Sequence, residues 1–133
     1  MSSWLLLLGS NAGAARVREA ILKLVPLGAV QALTPVRQFD ADGDGVGQFH
    51  NALVQLDQAP DREALEQQLK AIENSMGRVH KDPLNIAIDI DILARLLGKN
   101  WQADPHARDK GELHRAMVQA LLTQAGITIA VAE

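Results

Sequence analysis

The segment IAIDIDIL, residues 86–93, sets two aspartates inside a run of β-branched and aliphatic residues. Such a run has the composition of a strand. Side chains alternate across a strand, so Asp89 and Asp91 share one face while Ile88, Ile90 and Ile92 fill the other. Two carboxylates about 6 Å apart repel by roughly 3 kcal/mol at an effective dielectric near ~20. Either the strand lies at a sheet edge with its acids in water, or the pair holds a hard cation. Magnesium, which takes oxygen ligands through one or two carboxylates, is the simplest choice.

Upstream, the apolar run at 4–8 closes at Gly9 and predicts a buried strand. Val17, Ile21, Leu24 and Val25 recur at helical spacing, and Pro26 and Gly28 end that helix of residues 14–25. Residues 30–39 predict a second strand, bent at Pro35. NALVQL, residues 51–56, predicts a third. Pro60 and Asp61 open a helix, with Asp61 as N-cap, Glu63 against the dipole and Leu65, Leu69, Ile72 and Met76 as the apolar stripe. Gly77 stands where a left-handed C-cap belongs. With 86–93 as the fourth strand, the order is that of an α+β, ferredoxin-like βαββαβ antiparallel sheet with helices on one face. After Gly98 come a loop, a helix over 112–124 and a short strand over 127–131. The 133 residues suit one domain, 1–133, with no repeat and no linker.

Hydrophobic residues make up 47% of the chain, enough for a core. The net charge of −3 and the absence of a Lys/Arg run argue against a general nucleic-acid binder. There is no cysteine, hence no disulfide and no thiolate metal site. The N-terminal apolar run lacks a basic flank and is too short to span a bilayer. A cytoplasmic protein, with no membrane partner, is the expectation.

Other stretches carry weaker signals. GSNAG, residues 9–13, is a strand-to-helix turn whose amides favour anions, or an ordinary connection. DADGDG, residues 40–45, copies the opening of a calcium loop, but its twelfth position is Asn51 where a glutamate is required. A solvated loop suits it better. In FHNAL, residues 49–53, Phe49 and Asn51 share a strand face, as a flat hydrogen-bonding heterocycle requires; a core aromatic beside a strand-end amide has the same pattern. Glu73, Gly77, Arg78, His80 and Lys81 form a helix end with a basic exit, which also complements the helix dipole. His106 lies among basic residues in PHARDKG, residues 105–111, assigned to a loop.

In order, LLLLGSNAG, FHNALVQL, LKAIENSMGR, IDIDIL and PH resemble the 6-hydroxymethyl-7,8-dihydropterin pyrophosphokinase (HPPK) family, over about residues 4–111. The resemblance implies a ferredoxin-like fold and Mg2+-dependent transfer of pyrophosphate from ATP to a pterin alcohol in folate biosynthesis. It places Asp89, Asp91 and Arg78 in the catalytic centre, with Asp89 and Asp91 as Mg2+ ligands. It places Gly9, Phe49 and Asn51 at the pterin, and Glu73, His80, Ile92, His106 and Lys110 at the nucleotide. A monomer or weak dimer is implied.

The departures lie on the nucleotide side. The segment VHKDPLNIA after Arg78 is shorter than the family's loop and lacks its Trp. His80 and Ile86 stand at expected arginines, and Glu112 stands where the family has a second aromatic plate. A lysine at 110 lacks the bidentate fork of arginine. The alternatives are therefore a divergent member that binds a pterin-like ligand or a partner without catalysis, and an interaction module whose aspartates are merely solvated.

Overall fold

The computed structural model describes residues 1–40, 48–79 and 85–131. Its frame is a seven-stranded open sheet with four α-helices, a mixed α+β architecture. Strand β1 (Ser2–Ser10) leads to α1 (Ala14–Lys23), then β2 (Ala29–Ala32), β3 (Arg37–Asp40) and β4 (Gln48–Ala59). Helix α2 (Arg62–Ser75) follows, then β5 (Asp89–Leu97), β6 (Asn100–Ala103), α3 (Pro105–Asp109), α4 (Ala116–Ala125) and β7 (Ile129–Ala130). The strand order is β2-β4-β1-β5-β6-β7, with β3 also on β4. All pairings are antiparallel except β6 with β7.

The run of leucines explains where β1 sits. Trp4, Leu6 and Leu8 pack on one side with Val17 and Ala20 of α1, Leu24 at its C-cap, and Leu65, Leu69 and Ile72 of α2. Leu5 and Leu7 pack on the other side with Ala107 of α3 and Met117, Val118 and Leu121 of α4. A strand buried on both faces reads as continuous rather than alternating. The expectation of helices on one face therefore holds for α1 and α2, while the C-terminal helices cover the opposite face.

Helix α2 forms as its sequence dictates. The Asp61 side chain accepts the N–H of Ala64, and the whole Leu65, Leu69, Ile72, Met76 stripe is buried. Gly77 has φ +88°, and the Arg78 N–H returns to the Glu73 carbonyl at 3.0 Å, closing the helix.

Several boundaries differ from expectation, the third strand among them, which runs from Gln48 to Ala59 rather than over 51–56. The expected second strand is two strands, both on β4: Ala29–Ala32 opposite residues 57–54, and Arg37–Asp40 opposite 51–48. Pro35 has no N–H for a ladder, and the intervening Thr34 hydroxyl takes the Leu53 N–H instead. The fourth strand begins at Asp89 rather than at 86. Residues 86 and 87 bond to the 9–13 turn: Ile86 N–H to Asn11 Oδ1 at 2.8 Å, and Ser10 Oγ to the Ala87 carbonyl at 2.7 Å. Residues 99–111, expected as loop, hold β6 and α3. The C-terminal helix starts at Ala116, after a 3-10 turn at Glu112–His114, and the last strand is only Ile129–Ala130. The acidic stretch 41–47 lies outside the described residues; Asp40 ends β3.

Candidate active site

Strand β6 pairs with β5 only along residues 94–97, so among the described residues the outer edge of β5 near Asp89 and Asp91 has no strand neighbour. A cavity of about 290 Å3 opens there. Asp89, Asp91 and Ile92 line it from β5, Glu73 from α2, Arg78 from just beyond α2, His106 from α3 and Lys110 from its C-cap. Seven of the expected site residues thus meet in one concavity. His80 lies outside the described residues.

The sheet edge is capped by side chains. Glu73 is buried, and its Oε2 accepts the Ile90 N–H at 2.8 Å. Arg78 Nη1 donates to the Ile88 carbonyl at 3.2 Å, and its buried Nε lacks a partner among the described residues. The backbone groups a neighbouring strand would pair are therefore taken by the side chains that face the cavity.

The aspartates do share one face, as alternation requires. Ile90 and Ile92 point into the α1/α2 core, and Leu93, two residues beyond Asp91, into the α3/α4 core. The like charges are not spread into solvent. Burial, then the charge and hydrogen bonding of Asp89, then the charge of Glu112, push the Asp91 carboxyl up to about 9, against Lys110, which lowers it. Burial, with Asp89 beside it, pushes Glu73 up to about 7, against the Ile90 N–H and Arg78. Both acids hold a proton well above the ordinary carboxylate range because burial and the neighbouring negative charge outweigh the nearby cations.

Donor chemistry fits a bound Mg2+. Among the described residues no group of three or more His, Cys, Asp or Glu could hold a metal ion by itself. Mg2+ seldom uses such a cage; it takes one or two carboxylates and completes its shell with water and substrate phosphate. The Asp89–Asp91 pair offers that number.

The remaining expected residues extend the same sheet face. Asp89 pairs across the ladder with Gly9, and Gly9 with Asn51. Side chains of paired residues share a face, so Asn51 and Asp89 flank the bare backbone of Gly9, about 10 Å apart over two strand spacings. Asn51 is buried; its Nδ2 donates to the Leu8 carbonyl at 3.3 Å, and its Oδ1 lacks a partner among the described residues. Phe49 is half-buried two residues along and faces Phe39 across the β3–β4 ladder. Gly9, Phe49 and Asn51 do not line the cavity itself. They form a floor beside it, joined to it through Gly9.

Arg62, Glu66, Lys70 and Glu112 also line the cavity and were not expected from the sequence. Glu112 is buried, with Lys110 Nζ 3.4 Å from its Oε1. Where the resemblance implies an aromatic plate, the chain has a carboxylate paired with a lysine, and its charge acts on Asp91.

A mostly antiparallel sheet with helices on both faces, an acidic pair at an open strand edge and a buried asparagine beside it make a frame for a small polar ligand. The model of the 7,8-dihydro-6-hydroxymethylpterin-pyrophosphokinase (HPPK) family matches residues 5–123 of the 133, and the chain belongs to that family. It is a family of transferases, kinases of folate biosynthesis that act on ATP and a pterin. No curated protein gives a significant match to this chain. Among the described residues no helix is long and apolar enough to cross a membrane.

Proposed function

We propose that this chain transfers pyrophosphate from ATP to 6-hydroxymethyl-7,8-dihydropterin, as one ferredoxin-like domain, monomeric or weakly dimeric, in the cytoplasm. The observation that carries this is the meeting of Asp89, Asp91, Glu73, Arg78, His106 and Lys110 in one cavity, in a chain of this family.

The pterin hydroxyl oxygen attacks the β-phosphorus of ATP, the bond from that phosphorus to the α-phosphate oxygen breaks, AMP leaves and the hydroxyl proton goes to solvent. Such transfer depends on positioning and charge neutralisation more than on covalent catalysis. Asp89 and Asp91 would hold Mg2+, whose chemistry when bound is to neutralise phosphate charge and order the oxygens around it. Ionised, the two acids give up the proton that burial otherwise forces on Asp91. Arg78 and Lys110 supply positive charge to the phosphates, and His106 a ring N–H donor. The unpaired Asn51 Oδ1 accepts from a ring N–H, and Phe49 offers a face for stacking. Gly9, without a Cβ, leaves room over its backbone for the Asn51 amide.

Incubation with ATP, Mg2+ and the hydroxymethyl pterin should release AMP in equal amount to the pterin diphosphate formed. Folded protein that binds the pterin but releases no AMP would leave binding without transfer. Folded protein that does neither removes the proposal.

A further inference from the structure

Helix α3 has five residues, too few to hold itself in water, yet it carries His106 and leads into Lys110. Its position depends on the residue before it. Asp104 is almost wholly buried, and its two oxygens take a fork from Arg62 of α2, Nε to Oδ1 at 2.6 Å and Nη2 to Oδ2 at 2.9 Å. The same carboxylate caps α3 by accepting the Ala107 N–H at 3.3 Å, and the Asp104 N–H donates to the Leu93 carbonyl of β5 at 2.8 Å. One residue therefore ties together α2, α3 and the edge of β5, the three elements that enclose the cavity. Glu66, one turn along α2, accepts from Arg62 Nη1 at 2.7 Å and sets the guanidinium plane. Neither Arg62 nor Asp104 belongs to the motifs by which the chain resembles its family.

We infer that the Arg62–Asp104 fork is a latch that fixes α3, and with it His106 and Lys110, against the Asp89–Asp91 edge. The two are positioning residues for the phosphate end of the substrate. This rests on the proposed pyrophosphoryl transfer for its consequence but not for its geometry. A parallel bidentate fork fixes orientation as well as distance, which a point charge does not. Loss of the fork leaves the Asp104 cap in place, so α3 forms but is no longer held in one position.

The test compares Arg62→Gln, Arg62→Lys and Asp104→Asn with the parent chain in two measurements. Amide exchange reads the latch itself. The N–H groups of Arg108, Lys110 and Gly111, bonded within α3 and its turn, should exchange about tenfold faster in Arg62→Gln and Arg62→Lys, while those of β1 and β4 keep their protection. Asp104→Asn, which retains a cap oxygen and one acceptor for the arginine, should fall between. Kinetics read the consequence: KM for ATP should rise about tenfold with KM for the pterin unchanged, since a misplaced α3 costs phosphate contacts alone. Unchanged exchange in α3 would overturn the latch, whatever the activity. Faster exchange with an unchanged KM for ATP would overturn its positioning role. A parent chain that releases no AMP would instead overturn the proposed function, and the exchange result would still decide the latch.

Discussion

The Oε2 atom of Glu73 accepts the Ile90 N–H at 2.8 Å, so a side chain of α2 replaces the strand that β5 lacks at that edge. Both groups are buried. Glu73→Ala would leave the Ile90 N–H without a partner, at a cost of about 1–3 kcal/mol. Glu73→Gln keeps an acceptor oxygen in place and should restore most of that loss. Urea unfolding of the three proteins checks this; equal midpoints for Ala and Gln would show that the bond contributes nothing.

The raised acids make stability depend on pH with a definite sign. Folded Asp91 keeps its proton up to about 9 and Glu73 up to about 7, where the unfolded chain has lost both from ordinary carboxylate values upward. The native state then binds more protons than the unfolded state. Stability without metal therefore falls as pH rises through that window, steepest where both groups contribute, below about 7. Mg2+ held by the ionised pair would bind the native state only, so it should stabilise by mass action and most strongly at alkaline pH. Asp91→Asn should flatten the pH slope and abolish the Mg2+-induced rise in Tm. Thermal unfolding across pH with and without Mg2+ reads both effects, and an unaltered slope in Asp91→Asn would refute the assignment.

Gly9 separates the two halves of the site. A Cβ built there would stand 2.5 Å from Asn51 Nδ2, a distance no real contact tolerates. Gly9→Ala must displace the Asn51 amide, which then loses its bond to the Leu8 carbonyl. Overpacking of this kind costs about 1–3 kcal/mol of stability. Pterin affinity should fall about tenfold or more while ATP binding is kept, because only the amide's orientation is changed. Calorimetry with each ligand separates the two; equal losses for both would mean general damage.

How far the sequence revealed this molecule follows from the length over which each signal acts. The leucine run of β1, the capped stripe of α2 and the alternation around Asp89 and Asp91 are local patterns of several residues, and each became the expected element. Strand β6 and helix α3 escaped because NWQA and PHARD are shorter than a period count can register. Asp104 followed by Pro105 is nonetheless an N-cap and first-turn proline, a helix-start signal present in the chain. The late start of β5 was not legible, since Asn11 and Ser10, some 75 positions away, take the backbone of residues 86 and 87. Arg62 and Asp104 are likewise 42 positions apart, and Glu112 announced only a missing aromatic. Contacts of that kind exist only once the sheet has brought the strands together.

Both phenylalanines of the chain are partners across one ladder, Phe39 on β3 and Phe49 on β4, yet their surroundings differ. Phe39 packs against the α3/α4 core, and the Arg37 guanidinium lies 4.9 Å from its ring centroid. Arg37 is itself tied by Nη1 to Gln124 of α4 at 2.9 Å. Phe49 is half-buried, on the face that carries Asn51, and lies outside both core clusters. Phe39→Ala should therefore act on stability, through lost packing of β3 on α4, and leave ligand affinity nearly intact. Phe49→Ala should do the reverse. Stacking of a flat heterocycle on an aromatic ring contributes about 1–3 kcal/mol, so pterin affinity should fall at least about fivefold with little change in the urea midpoint. The pair of variants, measured for unfolding and for pterin binding, separates the two rings. Should Phe49→Ala bind the pterin as the parent does, the floor beside Gly9 is not where the ring lies.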